Sequence, residues 1–290
     1  MSESARKYYP LFVLIVLILV DIFVWLTVFR EERGNELKVA FLDVGQGDAI
    51  FIEAPNGNQL LVDGGRGAEV LSSLGAVMAP YDRTIDAILA THPDADHIGG
   101  LPSVLERYKV DNIFVSGAKS DTAIYKALEK KIGESGAREV TARRGMRVHL
   151  SRDVYLDILF PDLDVSKFKE TNEASIVGRL VYKNKSFLLT GDSPIKIEQY
   201  LISLDNKNLK SNVLKLGHHG SRTSTGETYL GFVSPEYSII SAGCKNSYGH
   251  PHKEVLVLLE KFKIPKFSTC DSGTIIFETD GEELNYKIQR

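Results

Sequence analysis

The sequence predicts an α/β (α+β) protein in which one apolar N-terminal helix precedes a single large domain built in two halves. Two observations carry that fold class. From about residue 37 onward, aliphatic strand-like runs alternate with amphipathic helical stretches, and no Pro-, Gly- or Ser-rich linker divides them. Several of the apolar runs then stop abruptly at His and Asp, residue types that bind divalent cations.

With 290 residues, 43% of them hydrophobic, the chain can bury a large core. A formal net charge of −3 gives no global attraction to polyanions, so a nucleic-acid partner needs a local basic surface. Two cysteines exclude a Cys-rich zinc module or a disulfide framework. Cys244 and Cys270 each end a strand-like run; they bridge if those strands are neighbours, and otherwise are two buried thiols.

Residues 11–29 form an apolar run with one charge, Asp21. At 1.5 Å per residue it spans roughly 28 Å, enough to cross a hydrocarbon core. It exits into Arg30-Glu31-Glu32-Arg33, a poor cleavage site, so a single-pass anchor in the cell membrane is expected rather than a signal peptide. The expected division is residues 1–10 as a short tail, 11–29 as the transmembrane anchor, 30–36 as a linker and 37–290 as the globular domain. Arg6 and Lys7 nearly balance Arg30 and Arg33. The short tail favours a cytoplasmic N-terminus and an extracytoplasmic domain.

Residues 37–44, 48–54 and 59–63 read as an antiparallel three-stranded meander, turning at Gly45-Gln46-Gly47 and at Pro55-Asn56-Gly57-Asn58. It ends in Asp63-Gly64-Gly65, where Asp63 is either an Asx-turn residue or a buried, hydrogen-bonded carboxylate. Gln46 and Asp48 lie either beside a site or in ordinary hairpin chemistry. Residues 67–80 look helical, and the run Ile85 to Ala90 reads as a buried strand.

That strand ends in Thr91-His92-Pro93-Asp94-Ala95-Asp96-His97, with a helix expected from about Ile98. His92 and Asp94 alternate in an extended turn and can face one point, while Asp96 and His97 cover a second. A carboxylate and imidazole set suits Zn²⁺ or Mn²⁺. The plainer alternative is a polar loop with Asp96 as a helix cap, but a cap needs one such residue and the loop offers four.

Beyond the loop, helices are expected at 101–109 and 122–134, and strands at 112–115, around 139, and at 147–150 and 154–160. Arg143, Arg144, Arg147 and Arg152 either track a phosphate backbone or decorate a solvated hairpin. The strand 175–182 turns into Phe187-Leu188-Leu189-Thr190 and stops at Gly191-Asp192, where Ser193-Pro194 reads as an N-cap and first turn of a helix at 195–204. A strand at 212–216 stops at Gly217-His218-His219-Gly220-Ser221, whose glycines leave both imidazoles accessible. The strand 237–242 precedes Asn246-Ser247-Tyr248-Gly249-His250-Pro251-His252, with Pro251 in the first turn of a helix at 253–262 and His250 at its mouth. Closing strands follow at 266–269, 274–278 and 284–288.

The loop His92-x-Asp94-x-Asp96-His97 resembles the HxHxDH signature of the metallo-β-lactamase superfamily, with Asp94 where the second His usually stands. With FLDVGQGDAIFI, LLVDGG and NxYGHP, the likeness over residues 37–280 is to the hydrolase domain of the ComEC competence branch. It implies a four-layer αββα metallo-β-lactamase sandwich holding one or two divalent ions, Zn²⁺ or Mn²⁺. His92 and Asp94 would bind the first, Asp96, His97 and His218 the second, and Asp192 would bridge them. Asp63 would support the loop, and Asn172 would stand where most relatives have a His. His219 or Ser221 would meet substrate or leaving group, with His250 a ligand, proton donor or phosphate contact.

The reading is a membrane-anchored metal-dependent hydrolase, with Asp96, His219 and His250 catalytic and a phosphodiester, DNA among the options, as substrate. The carboxylate-rich site tilts toward Mn²⁺ and phosphodiesters. Alternatives are a phosphocholine-esterase-like or other small-ester hydrolase, and a non-catalytic accessory module with a structural metal site. Protein partners are not legible.

Overall fold

The computed structural model describes residues 3–32 and 34–290, with side chains given for 8–25 and 34–290. Met1, Ser2 and Arg33 lie outside the described residues, as do the side chains of Arg6, Lys7 and Arg30 that bear on orientation. Helix α1 (Glu3–Glu32) is continuous, taking in most of the expected tail and the start of the linker. Its segment Tyr8–Trp25 has a mean hydropathy of 2.4, none of it is buried, and it is long and apolar enough to cross a membrane.

The first half opens with the expected antiparallel meander, β1 (Leu37–Phe41), β2 (Ile50–Glu53) and β3 (Gln59–Val62). After α2 (Glu69–Val77) come β4 (Thr84–Ala90), the short turns α3 (Ala95–Ile98) and α4 (Leu101–Arg107), then β5 (Lys109–Val115), α5 (Ala123–Ser135) and β6 (Arg138–Thr141). The second half holds β7 (Arg147–His149), β8 (Val154–Phe160), β9 (Val177–Tyr182), β10 (Lys185–Leu189), α6 (Ile195–Asp205), β11 (Val213–Lys215), α7 (Glu227–Val233), β12 (Tyr237–Ile240), α8 (Lys253–Phe262) and β13 (Lys266–Ser268). The helical turn α9 (Thr269–Ser272) leads into β14 (Thr274–Thr279) and β15 (Leu284–Gln289).

The chain's last two strands return to the first half. One sheet runs β15-β14-β1-β2-β3-β4-β5-β6, the other β13-β12-β11-β10-β9-β8-β7. Side chains alternate across a strand, so both faces of each sheet can be apolar only if both are covered. Leu37, Val39 and Phe41 of β1 pack with Leu180, Phe187, Val213 and Ile239 between the sheets. Ala40, Phe51 and Leu61 face outward onto Val70 and Leu74 of α2, Val104 of α4 and Leu128 of α5. On the far side, Leu188, Leu214 and Ile240 pack on Leu201 of α6, Leu230 of α7 and Leu259 of α8. The result is the four-layer αββα arrangement.

Two local expectations change, and a third reading is decided between its alternatives. Ser193 is not the cap of α6: Pro194 occupies that position and the Ser193 hydroxyl is buried without a partner. Pro251 precedes α8 rather than lying in its first turn, since His252 is the N-cap. Of the four clustered arginines, Arg144 pairs with Asp205, and Arg147 with Asp157 across the β7–β8 hairpin, both in bidentate contacts. This fits the charged-hairpin reading and leaves those two guanidiniums engaged rather than open to a phosphate backbone. Cys244 and Cys270 form a disulfide, which ties the segment after β12 to α9.

Candidate metal centre

The parallel strands align their ends. β3 runs parallel to β4, and β10, β11 and β12 run parallel to one another. Asp63, His92, Asp192, His218 and Ser241 therefore all fall just beyond C-terminal strand ends, the edge where open α/β sheets place their ligands. Asp48 reaches the same edge from the start of β2. Gly47 makes this possible: a Cβ there would stand 2.0 Å from Asp96 O, and its φ of +127° suits glycine. The closely laid chain lets Asp48 N–H donate to Asp96 O at 3.1 Å.

Hydrogen bonds behind the imidazoles fix their tautomers. Asp63, 0% exposed, lies 2.7 Å from His97 Nδ1 and also accepts from Thr91 N–H and Oγ1–H at 2.8 and 2.7 Å. A carboxylate only accepts, so His97 Nδ1 carries a hydrogen. The Thr91 hydroxyl, having given its hydrogen to Asp63, accepts from His92 Nδ1 at 3.0 Å. His219 Nδ1 donates to Ser241 O at 2.9 Å. Three rings are thereby turned with Nε2 forward.

Those forward edges converge on Asp192, which is 2% exposed. Its carboxylate lies 3.1 Å from His97 Nε2, 3.5 Å from His219, 3.6 Å from His218 and 3.9 Å from His92. Asp94 approaches His92 Nε2 at 3.6 Å, and Asp96 approaches His219 Nε2 at 3.2 Å. Nε2 of His92, His97 and His219, together with Oδ1 of Asp192 and Asn172, is buried without a hydrogen-bond partner. Buried polar atoms are rarely left so. Convergent nitrogen and oxygen donors in this state fit one or two divalent cations. Asp48, His97, Asp192 and His219 each offer an atom within 4.8 Å of the others, Asp48 from the Nδ1 side of the two rings.

The remaining expected residues surround this group at different depths. His218, partly exposed, has Nδ1 3.2 Å from Thr223 Oγ1 and 3.5 Å from Asn172 Nδ2. Thr171 donates to Asp94 at 2.5 Å, steadying the carboxylate that replaces an imidazole. Ser221 is buried and turned onto Thr223, one contact removed from His218. His250 stands 5.2 Å from the His218 ring and carries the exposed Tyr248 stacked on it at 5.7 Å and 21°. Asn246 braces that loop, donating to Gly243 O and His250 O and accepting from His250 N–H. Of the adjacent pair, His219 is the buried member of the convergent group, although the resemblance gave the ligand role to His218. Both take left-handed backbone, with φ of 48° and 56°. Such geometry in non-glycine residues costs of order 1–3 kcal/mol each and gathers at functional sites.

Charge follows the same pattern. Burial alone would push the Asp192 carboxyl up, but His219, His97 and His92 outweigh it and hold it well below the usual range. Burial would depress His97, yet Asp192 and Asp63 raise it well above an ordinary imidazole. His219 is raised to about 9 in the same way, with Asp192 and Asp48 overcoming its burial. His250 goes the other way, to about 4, through burial and the nearby His218 and His219.

Sequence reasoning left Thr91, Thr171 and Thr223 aside, and these hydroxyls order the rings and carboxylates. Lys215, also passed over, carried a legible signal: a lone lysine inside the apolar run Val213 to Leu216.

The metallo-beta-lactamase superfamily pattern matches residues 42–243. ComE operon protein 3 of Bacillus subtilis is 34% identical over 264 residues, covering 83% of this chain. Competence protein ComA of Neisseria gonorrhoeae is 31% identical over 253 residues, covering 86%. The chain spans 33% of the length of each of these relatives. The crystal structure of Tm1679, a metal-dependent hydrolase of the beta-lactamase superfamily, superimposes with a TM-score of 0.51 at 13% identity over 80% of this chain and 95% of that one.

Proposed function

The chain belongs to the metallo-β-lactamase superfamily, and from that premise we propose that it is a membrane-anchored, metal-dependent phosphodiesterase acting on nucleic acid. One observation carries the hydrolase reading: the forward Nε2 atoms of four histidines meet at one buried carboxylate, flanked by Asp94 and Asp96. His92 and Asp94 would hold one ion, Asp96, His97 and His219 the other, with Asp192 between them and His218 at the open face. A divalent ion in such a site supplies a water acidified from a pKa near 16 toward roughly 7 and a counter-charge for phosphoryl oxygens.

The protein's own groups do the rest. Three buried imidazoles held from behind keep the donors rigid, so little reorganisation is needed when substrate arrives. His250, neutral at physiological pH, offers a hydrogen-bonding ring beside the open face rather than a fixed positive charge. Exposed Tyr248 gives a nucleobase a flat surface to stack on. Relatives named for competence support nucleic acid as the substrate class.

The apolar segment of α1 supports a single-pass anchor. The Cys244–Cys270 disulfide favours an oxidising compartment, hence an extracytoplasmic domain. The test is an assay of the full-length chain in detergent, with Mn²⁺ and with Zn²⁺, against single-stranded DNA, RNA and bis-p-nitrophenyl phosphate. Phosphodiester cleavage that disappears in Asp192→Asn is expected; turnover of lactones or thioesters alone would overturn the reading.

A further inference from the structure

Behind His219 lies a buried ion pair that joins the two halves of the fold. Lys215 ends β11 in one sheet, and Asp48 precedes β2 in the other; each is 1% exposed. Lys215 Nζ stands 2.6 Å from Asp48 Oδ2 and donates to Leu216 O at 2.9 Å. Asp48 Oδ1 faces His219 Nδ1 at 3.2 Å, and its other oxygen is 4.0 Å from His97 Nδ1. Both approaches are to the rear nitrogen of a ring, whereas every imidazole contact of Asp192 is to a forward one. The two nitrogens of an imidazole point in divergent directions. An ion held at Nε2 is therefore on the far side of the ring from Asp48.

We infer that Asp48 is not a metal ligand, and that Lys215 and Asp48 together are a positioning pair that aims His219 into the centre. Behind His97 the carboxylate is Asp63, which accepts from Nδ1 directly and is anchored by Thr91 N–H and Oγ1–H. Behind His219 the Nδ1 hydrogen goes to Ser241 O, and Asp48 flanks the ring by charge alone, its Oδ1 buried without a hydrogen-bond partner. The anchor of Asp48 is an ammonium instead. A carboxylate buried beside a ring needs a fixed partner to stay ionised and oriented, and Lys215 is the buried cation within reach. Main-chain bonds hold the pair in register with the loops it serves: Asp48 N–H donates to Asp96 O, and Gly65 N–H to Asp48 O at 2.7 Å. Groups that orient a ligating histidine from behind set its affinity for the ion without touching it.

This inference rests on the site binding a divalent ion, so the test reads ion binding directly in the full-length chain in detergent. Zn²⁺ and Mn²⁺ are titrated by calorimetry into metal-free wild type, Lys215→Met, Asp48→Asn and the paired variant Asp48→Leu/Lys215→Met. The paired variant removes both charges at once and leaves no unpaired ion in the core. Expected are an unchanged number of ions bound, a Kd weakened roughly 10- to 100-fold in each single variant, and a double-variant loss no larger than a single one. In the folded, Zn²⁺-loaded protein the His219 ring ¹⁵N signals should shift in Lys215→Met while those of His97, held by Asp63, stay as in wild type, which general loss of stability would not cause. Folded variants that bind with wild-type affinity overturn the inference. So does loss of one ion in Asp48→Asn, which would make Asp48 a ligand, and so does failure of the paired variant to fold, which would assign the pair to the scaffold. A wild-type chain that binds no ion would instead sink the metal-dependent reading itself.

Discussion

Asp63 and His97 are 2.7 Å apart, and through Thr91 the same carboxylate also governs His92. One buried side chain thus sets the tautomer of two rings in the loop that carries the superfamily signature. Asp63→Asn replaces an acceptor by a group that can also donate, so the His97 tautomer is no longer fixed. The expected outcome is a 10- to 100-fold weaker Kd for Zn²⁺ or Mn²⁺, on the order seen when carboxylates behind ligating histidines are removed, measured by calorimetry on the folded variant.

Metal removal should lower thermal stability, because the ion binds the folded chain and the donors repel or go unpaired without it. At about 100 times its Kd, an ion adds roughly 2.7 kcal/mol, or about 5–10 °C in Tm. Chelation should remove this increment and re-addition restore it. Without an ion His219 binds a proton up to about pH 9 and His97 beyond the ordinary imidazole range, so ion and proton compete. Affinity should rise with pH from 6 to 9, with protons released on binding, as potentiometric titration would show. An affinity that falls over that interval would contradict the assigned donors.

Glu198 supplies a separate pH dependence away from the centre. It is 1% exposed and accepts from Thr225 N–H at 2.6 Å and Gly226 N–H at 2.8 Å. Burial raises its pKa to about 7 despite those two bonds. A carboxyl raised in the folded state contributes its stability fully below pH 4.5 and loses it as pH rises through 7. The shift amounts to roughly 3 kcal/mol. Denaturant unfolding should show the stability of wild type relative to Glu198→Gln falling by up to about that amount between pH 4.5 and 8.

Tyr248 tests the substrate class. Stacking of a base on an exposed aromatic ring contributes about 1–3 kcal/mol, so Tyr248→Ala should weaken binding of a single-stranded oligonucleotide by at least about fivefold. An abasic strand of the same length, which keeps the phosphates and lacks the base, should bind both proteins alike. Equal losses on the two strands, read by fluorescence anisotropy, would remove the stacking role.

Much of the scaffold was legible because periodicity records burial. The meander β1 to β3, the two-faced apolar strands and the breaks at His92, Asp192 and His218 all follow from which residues alternate and where alternation stops. The close spacing of His92, Asp94, Asp96 and His97 also made the metal loop readable, since residues a few positions apart on one turn stay together whatever the rest of the fold does. Pairing partners were not readable: nothing local tells β14 and β15 to return beside β1.

The sequence by itself determined the donor types, their positions at strand ends, the apolar N-terminal span and the superfamily. Tertiary structure alone decided what stands behind each ring, and therefore which nitrogen faces forward. Asp48 and Lys215 are 167 residues apart in sequence and 2.6 Å apart in space. A tautomer is chosen by the hydrogen-bond partner at the rear nitrogen, and for His219 that partner comes from another strand end. The left-handed backbone of His218 and His219 was likewise hidden, because residue type disfavours it and only the surrounding packing imposes it.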